Sequence, residues 1–453
     1  MEWPPATRAD GARSEAPYAI AIKEDSMKTF RSRMRGAAIL AAAAALALTG
    51  CSASSTSGGS GSPTVVHVWH GFTEADGKVV QKIADEFNAS QKDYQVKIEV
   101  NPWNVISDKL LPALKSGNGP DLVVQGVDAA QGYVKQKAFA SLQDFYDDKK
   151  NETSTYDPHV VSYSKFDGQQ YGVPMGYAPF SIWYNKKMFA DAGITEYPKT
   201  WDDLIALAQK LTVKNAGDAA PQVYGLSLGD KQSTFLPSIV QSGGGEVVKD
   251  GKIVLDTPQN VKTLEWWRNE YAKGWSPTNI GLADAVALFT GGKAAMTWIG
   301  PWVVTGAKAA GIDVGEFPAP AGSDKAATPA AANYWWLTSQ GAKDAKVKSG
   351  SEAFLAYFNS HKSQLQWALE ANYPPNRTDI TADELKSNPL IAALTPEAKN
   401  AYIPLATLPG ASTDVNTELD TLSVKITQGS GGAVTTLVKD TDQKLKDLIA
   451  PFH

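Results

Sequence analysis

Apolar positions recur along this chain with two periods. In "TVVHVWH" they run almost without interruption, as in a strand buried on both faces, whereas in "KVVQKIADEFN" Val79, Val80, Ile83 and Phe87 share one face of a helix. A second strand, "YQVKIEV", follows, then a helix "SDKLLPALKSG" closed by Gly117, then a third strand "DLVVQG". This alternation predicts an α/β lobe built on a mostly parallel sheet covered on both faces.

A second series starts at "APFSIWYNKKMF", a strand running into a helix. In "KTWDDLIALAQKL", Thr200 and Asp203 have the spacing of a capping box. "DTPQNVKTLEWWRNEYAKG" predicts a helix with Thr257 as cap, Pro258 in the first turn and Gly274 after its end. Its tandem Trp266 and Trp267 read as helix and core packing. "AAMTWIGPW" reads as a strand entering a turn, and "EAFLAYFNSHKSQLQWALEAN" as one long helix. No segment repeats at solenoid spacing. The expected outcome is two α/β lobes.

The amino-terminal region has a different pattern. The apolar run from Ala37 to Leu48, roughly 12 residues against the ~20 that span a bilayer, follows Lys28, Arg31, Arg33 and Arg35, as in an export signal. Leu48-Thr49-Gly50-Cys51 resembles the bacterial lipobox, which makes Cys51, the only cysteine, the lipidated first residue of the mature protein. The Ser- and Gly-rich stretch to Pro63 then reads as a flexible tether. Residues 1–26 are acidic and Pro-rich where a signal should begin, so Met27 is the expected start. With no second cysteine the lobes carry no disulfide and rest on their cores. With a net charge of -5 and 20% charged residues, nothing in the sequence is basic enough to point to nucleic acid.

Enzymatic signatures are scarce. Gly-x-x-x-x-Gly-Lys-Ser/Thr, Gly-x-Ser-x-Gly and His-Glu-x-x-His are absent, and the five histidines are scattered without metal-ligand spacing, so neither a metal nor a cofactor is expected. A glycosidase needs only two carboxylates, which 48 acidic residues leave open. Prominent instead are aromatics beside turn residues: Trp69-His70-Gly71, Pro102-Trp103-Asn104, Gly176-Tyr177, Gly300-Pro301-Trp302, Asn333-Tyr334-Trp335-Trp336 and Asn372-Tyr373-Pro374. Aromatic rings stack on the C–H faces of sugars while acids and amides take the hydroxyl edges, and in open α/β sheets ligands bind at the carboxyl ends of strands.

Several stretches resemble the extracellular solute-binding proteins of ABC importers, in the branch that includes maltose-binding and glycerol-3-phosphate-binding proteins. "VWHGFTEADGKVVQKIADEFN" resembles the family's opening strand, ligand loop and first helix, and "LKSGNGPDLVVQG" its Gly-x-x-Pro-Asp strand. "WYNKKMFADAGI" with "YPKTWDDL", and "LFTGGKAAMTWIGPW", resemble later signatures. The resemblance implies a two-lobed periplasmic-binding-protein-like α/β fold of type II with the ligand cleft between lobes. Residues 64–177 plus 314–337 are expected in lobe 1, and 178–313 plus 338–453 in lobe 2. Hinge crossings are expected near Met175–Phe180, Val314–Pro318 and Leu337–Gly341.

Carried over position by position, the resemblance makes Trp302 a sugar-stacking ring, Asp128 an acceptor for sugar hydroxyls and Glu74 a ligand-loop acid. It adds Trp103 and Tyr373 as stacking or hydrogen-bonding groups, with Asn333, Tyr334 and Trp335 on a cleft-lining turn. His70 and Tyr177, at the turns already noted, complete the candidate set. The implied function is capture of a neutral sugar or oligosaccharide, without catalysis, and delivery to the ABC permease by a monomer held outside the cell by lipid on Cys51. A glycerol-3-phosphate, glycerophosphodiester or polyol ligand is the alternative, and a surface glycosidase a remote one. Arg377 is the one cation close to a candidate site residue, Tyr373; "YAPF" and "ATLPGASTD" lack the serine-rich turn and the arginine expected of a phosphate site.

Overall fold

Strand β1 (Thr64–His70) buries Val66 and Val68 completely and pairs in parallel with β2 (Tyr94–Val100) and β3 (Leu122–Gly126). The crossovers are helices α1 (Ala75–Ser90) and α2 (Trp103–Ser116), and α1 turns Val79, Val80, Ile83 and Phe87 into the core as its periodicity predicts. The structure, a computed structural model, describes residues 62–73, 75–231, 233–408 and 413–452. Cys51, the expected signal and almost all of the expected tether lie outside them. Among the described residues no helix is long and apolar enough to cross a membrane.

Strand β4 (Gly172–Pro179) belongs to the first sheet and β5 (Ser181–Asn185) to a second, so the chain crosses between lobes at Phe180. The second lobe continues through α3 (Trp201–Leu211), β6 (Tyr224–Ser227), α4 (Phe235–Ser242), α5 (Pro258–Tyr271), β7 (Ala294–Ile299) and β8 (Val314–Phe317). Its sheet has the order β8-β5-β7-β6. The Thr200 hydroxyl accepts from the Asp203 amide and that of Thr257 from the Asn260 amide, each at 3.2 Å, so both caps read from sequence form.

The chain returns to the first sheet as β9 (Thr328–Leu337), which lies between β3 and β4 and runs antiparallel to both. The first sheet is therefore mixed rather than mostly parallel, because β9 enters from the second lobe at the end where β3 leaves. Helices α6 (Ala345–Phe358) and α7 (His361–Ala371) pack on β1 and α1. A short strand β10 (Ala401–Tyr402) pairs with the start of β9, and α8 (Thr413–Thr427) and α9 (Val434–Ile449) close the second lobe against α5.

Three expectations need correction. The stretch 314–317 belongs with the second sheet, because Val314 and Phe317 pair with Asn185 and Ile182 of β5. Residues 338–371 stay with the first lobe, so no crossing occurs at Leu337–Gly341; Phe354 and Phe358 of α6 pack edge-on against Trp335 at 5.5 and 5.1 Å. The single long helix is two, because the Ser360 hydroxyl caps a new helix by accepting from the Ser363 amide at 3.3 Å.

Candidate ligand-binding cleft

Strands β1 and β3 run parallel and end side by side, so His70-Gly71-Phe72 and Gly126-Val127-Asp128 meet at one edge of the first lobe. Phe72 organises this edge. Its ring meets Trp103 edge-on at 5.0 Å, Tyr373 at 6.3 Å and the His70 ring at 5.6 Å. Tyr373 in turn stacks on Trp302 at 6.2 Å, and Trp302 meets Phe180, the crossing residue, at 5.5 Å. Four candidates from sequence, His70, Trp103, Tyr373 and Trp302, thus form one row of rings joined by Phe72.

Two close approaches shape this row. A side chain on Gly71 would strike the Trp103 ring, and one on Gly300 would strike the ring of Trp302, so both positions require glycine. Trp302 is half-buried and packs against core groups of both lobes. Trp103 is 37% exposed, which leaves much of its ring open to a ligand. Tyr373 is buried, with its hydroxyl 3.5 Å from Asp76.

His70 is fully buried, and burial lowers its pKa to about 4, so the ring is neutral. Its Nδ1 accepts from the Phe72 amide at 3.2 Å, which places the proton on Nε2. That Nε2–H has no acceptor among the described residues.

Asp128 and Asn333 share the wall of a cavity of ≈ 200 Å³, completed from the second lobe by Ser233 before α4, Leu405, and Asn416 on α8. Asn333 sits opposite Gly126 in the β9–β3 pairing, beside a bulge against β4. Burial raises the Asp128 carboxyl above the usual range, partly offset by hydrogen bonds from the amides of Asp128 and Ala129. Among the described residues lining this cavity there is no lysine or arginine.

Other candidates fall elsewhere. Tyr177 is buried inside β4 and donates its hydroxyl to the Ala401 carbonyl at 2.7 Å. Tyr334 is fully buried and donates to the Val160 carbonyl at 2.6 Å, and Trp335, on the opposite face of β9, is buried under α6. These three belong to the cores, because Gly176-Tyr177 and Asn333–Trp336 lie within strands and not at turns. Glu74 lies outside the described residues. Arg377 is also buried, held by Asp379 at 2.7 Å and Glu152 at 3.1 Å, and its Nη1 donates to the Asn359 carbonyl at 2.9 Å. Its charge is neutralised away from the row of rings. Sequence reading missed Phe72, Ser233 and Asn416. Phe72 stands next to His70-Gly71 and was open to notice, whereas nothing local marks Ser233 or Asn416.

Known proteins share this architecture. The chain is 24% identical over 353 residues to the maltotriose-binding protein of Pyrococcus abyssi, covering 76% of this chain and 73% of that one. It is 32% identical over 248 residues to the diacetylchitobiose-binding protein of Streptomyces coelicolor, covering 52% and 56%. Among solved structures, the GacH receptor of Streptomyces glaucescens, studied unliganded and with acarbose, superposes with a TM-score of 0.74 at 20% identity, over 86% of this chain and 100% of that one. The profile of the bacterial extracellular solute-binding proteins matches residues 71–365. A two-lobed fold with a cleft between the lobes, joined to a family match over more than half its length, makes this chain a member of the bacterial extracellular solute-binding protein family.

Proposed function

We propose that the protein captures a neutral oligosaccharide in this cleft and delivers it to the permease of an ABC importer. The observation that carries the reading is the row of rings Trp103, Phe72, Tyr373 and Trp302, taken together with a cavity that has Asp128 and Asn333 on its wall and no cation among its described lining residues. Rings of this kind stack on sugar C–H faces, while a carboxyl and an amide meet hydroxyls. The proteins similar to this chain that bind maltotriose and diacetylchitobiose support the same ligand class. A glycerol phosphate is disfavoured, since a dianion calls for cationic partners and Arg377 is engaged by Asp379 and Glu152.

Trp302, Asp128, Asn333, Trp103 and Tyr373 are assigned to the site, with the buried His70 packed beside Phe72 at its edge. Hinge bending about Phe180 and the segment between β8 and β9 closes the lobes on the sugar. The protein works as a monomer anchored outside the cell through lipid on Cys51, with residues 52–63 as tether. The test is thermal unfolding with maltotriose, diacetylchitobiose, arabinotriose, a polyol and glycerol 3-phosphate. A ligand that binds only the folded state raises the midpoint. A neutral sugar is expected to do so, and a response to the phosphate alone would overturn the reading.

A further inference from the structure

The tandem tryptophans of α5 divide between two roles. Trp267 is buried in the second-lobe core, but Trp266 is half-buried and faces a recess of ≈ 370 Å³ that shares no lining residue with the cleft cavity. The recess lies between α5, the first turn of α3, the end of α4 and residues 321–323. On α5, Gln259, Lys262 and Trp266 form one stripe at helical spacing and all line it.

The recess is preformed. The Trp201 amide donates to the Ala321 carbonyl and the Ala321 amide to the Lys199 carbonyl, each at 2.9 Å, while the Asp324 amide donates to the Ser242 carbonyl at 3.0 Å. Trp266 is oriented by two contacts: its indole N–H donates to Asp202 Oδ1 at 3.3 Å, and its ring lies tilted at 37° beside Trp267. Trp201 also lines the recess. It is 1% exposed, and its indole N–H is buried without an acceptor among the described residues. The Lys262 ammonium and Ser323 hydroxyl stand at the exposed rim.

We propose that this recess is a second carbohydrate site, shaped for one or two hexose rings and independent of the cleft. The volume lies at the lower end of the ~300–1,000 Å³ typical of small-molecule sites. An indole ring beside one carboxylate, one ammonium, an amide and a hydroxyl offers an apolar surface with acceptors and donors around it. The opposed charges of Asp202 and Lys262 balance, which suits a neutral polyhydroxylated ring better than an ion.

The test is 19F NMR of the full chain carrying 5-fluorotryptophan, titrated with methyl α-D-glucoside and N-acetylglucosamine. Trp266→Phe and Trp302→Phe assign the two diagnostic lines. The Trp266 line is expected to shift saturably at sugar concentrations reaching about 10 mM, where even a millimolar site is mostly filled. That shift should persist in Trp302→Ala and weaken at least about tenfold in Ser323→Phe or Asp202→Ala, which leave the cleft intact. Two variants from different walls guard against a misfolded one. A Trp266 line that stays still with both sugars overturns the proposal, as does a shift lost in Trp302→Ala, which would report only lobe closure. A moving Trp266 line with a silent Trp302 line supports this site while contradicting the cleft reading for these sugars.

Discussion

At the scale of single residues, the proposed role of each ring and acid in the cleft can be tested one substitution at a time. Replacing Trp302 by Ala should weaken a bound sugar by at least about 1 kcal/mol, or about fivefold in Kd, because a stacked face is lost. Trp302 also packs against core groups of both lobes, so unfolding must be measured beside calorimetric affinity, with Trp302→Phe expected to recover part of both. Unchanged affinity would remove Trp302 from the site. Arg377 predicts the opposite pattern. Its buried guanidinium is held by Asp379, Glu152 and the Asn359 carbonyl, so Arg377→Met should lower stability in urea unfolding by about 1–3 kcal/mol through the lost charged hydrogen bonds while leaving sugar affinity unchanged. Loss of affinity without loss of stability would place that cation in the cleft after all. His70, Trp103, Trp302 and Tyr373, which the structure brings into one row, stand beside turn residues in the sequence, and that made their grouping legible. Tyr177, Tyr334 and Trp335 misled for a physical reason: a polar neighbour does not reveal whether a ring lies inside a strand, where its hydroxyl finds a backbone carbonyl.

At the scale of elements, strands and helices with a clear apolar period were readable, as in β1, α1 and α5. The failures were long-range. The sequence of β9 does not reveal that it returns antiparallel between β3 and β4, and β8 looks alike whichever sheet receives it. The break between α6 and α7 depends on one serine cap inside an otherwise helical pattern. β8 also carries a testable charge. Glu316 accepts from the Ser181 hydroxyl at 2.7 Å, at the start of β5 and close to the Phe180 crossing. Burial pushes its pKa up from 4.5 to about 7, assisted by Glu397. The folded state therefore holds this proton more tightly than the unfolded chain, so its contribution to stability is present below about pH 4.5 and is lost as pH rises toward 7. Glu316→Gln should flatten that slope. The check is the unfolding midpoint of both proteins at about pH 5 and about pH 8; equal slopes would mean that Glu316 is not the group responsible.

At the scale of the whole molecule, two lobes with separate sheets are joined by few crossings, so closing the cleft requires changes at those segments and leaves both cores intact. Sugar affinity then includes the closure equilibrium as well as the contacts. Two lobes were expected from the alternating pattern, but their boundary was not, because lobe membership is decided by pairing between distant strands. The cleft itself is composite: the cavity at Asp128 is completed by Ser233 and Asn416, nearly 200 residues apart in sequence. The central claim, a receptor that closes on a neutral oligosaccharide, is tested most directly by small-angle X-ray scattering of the protein alone, with saturating maltotriose or diacetylchitobiose, and with glycerol 3-phosphate. The account predicts a smaller radius of gyration with a neutral sugar and none of that contraction with the phosphate. Contraction with glycerol 3-phosphate alone would contradict it.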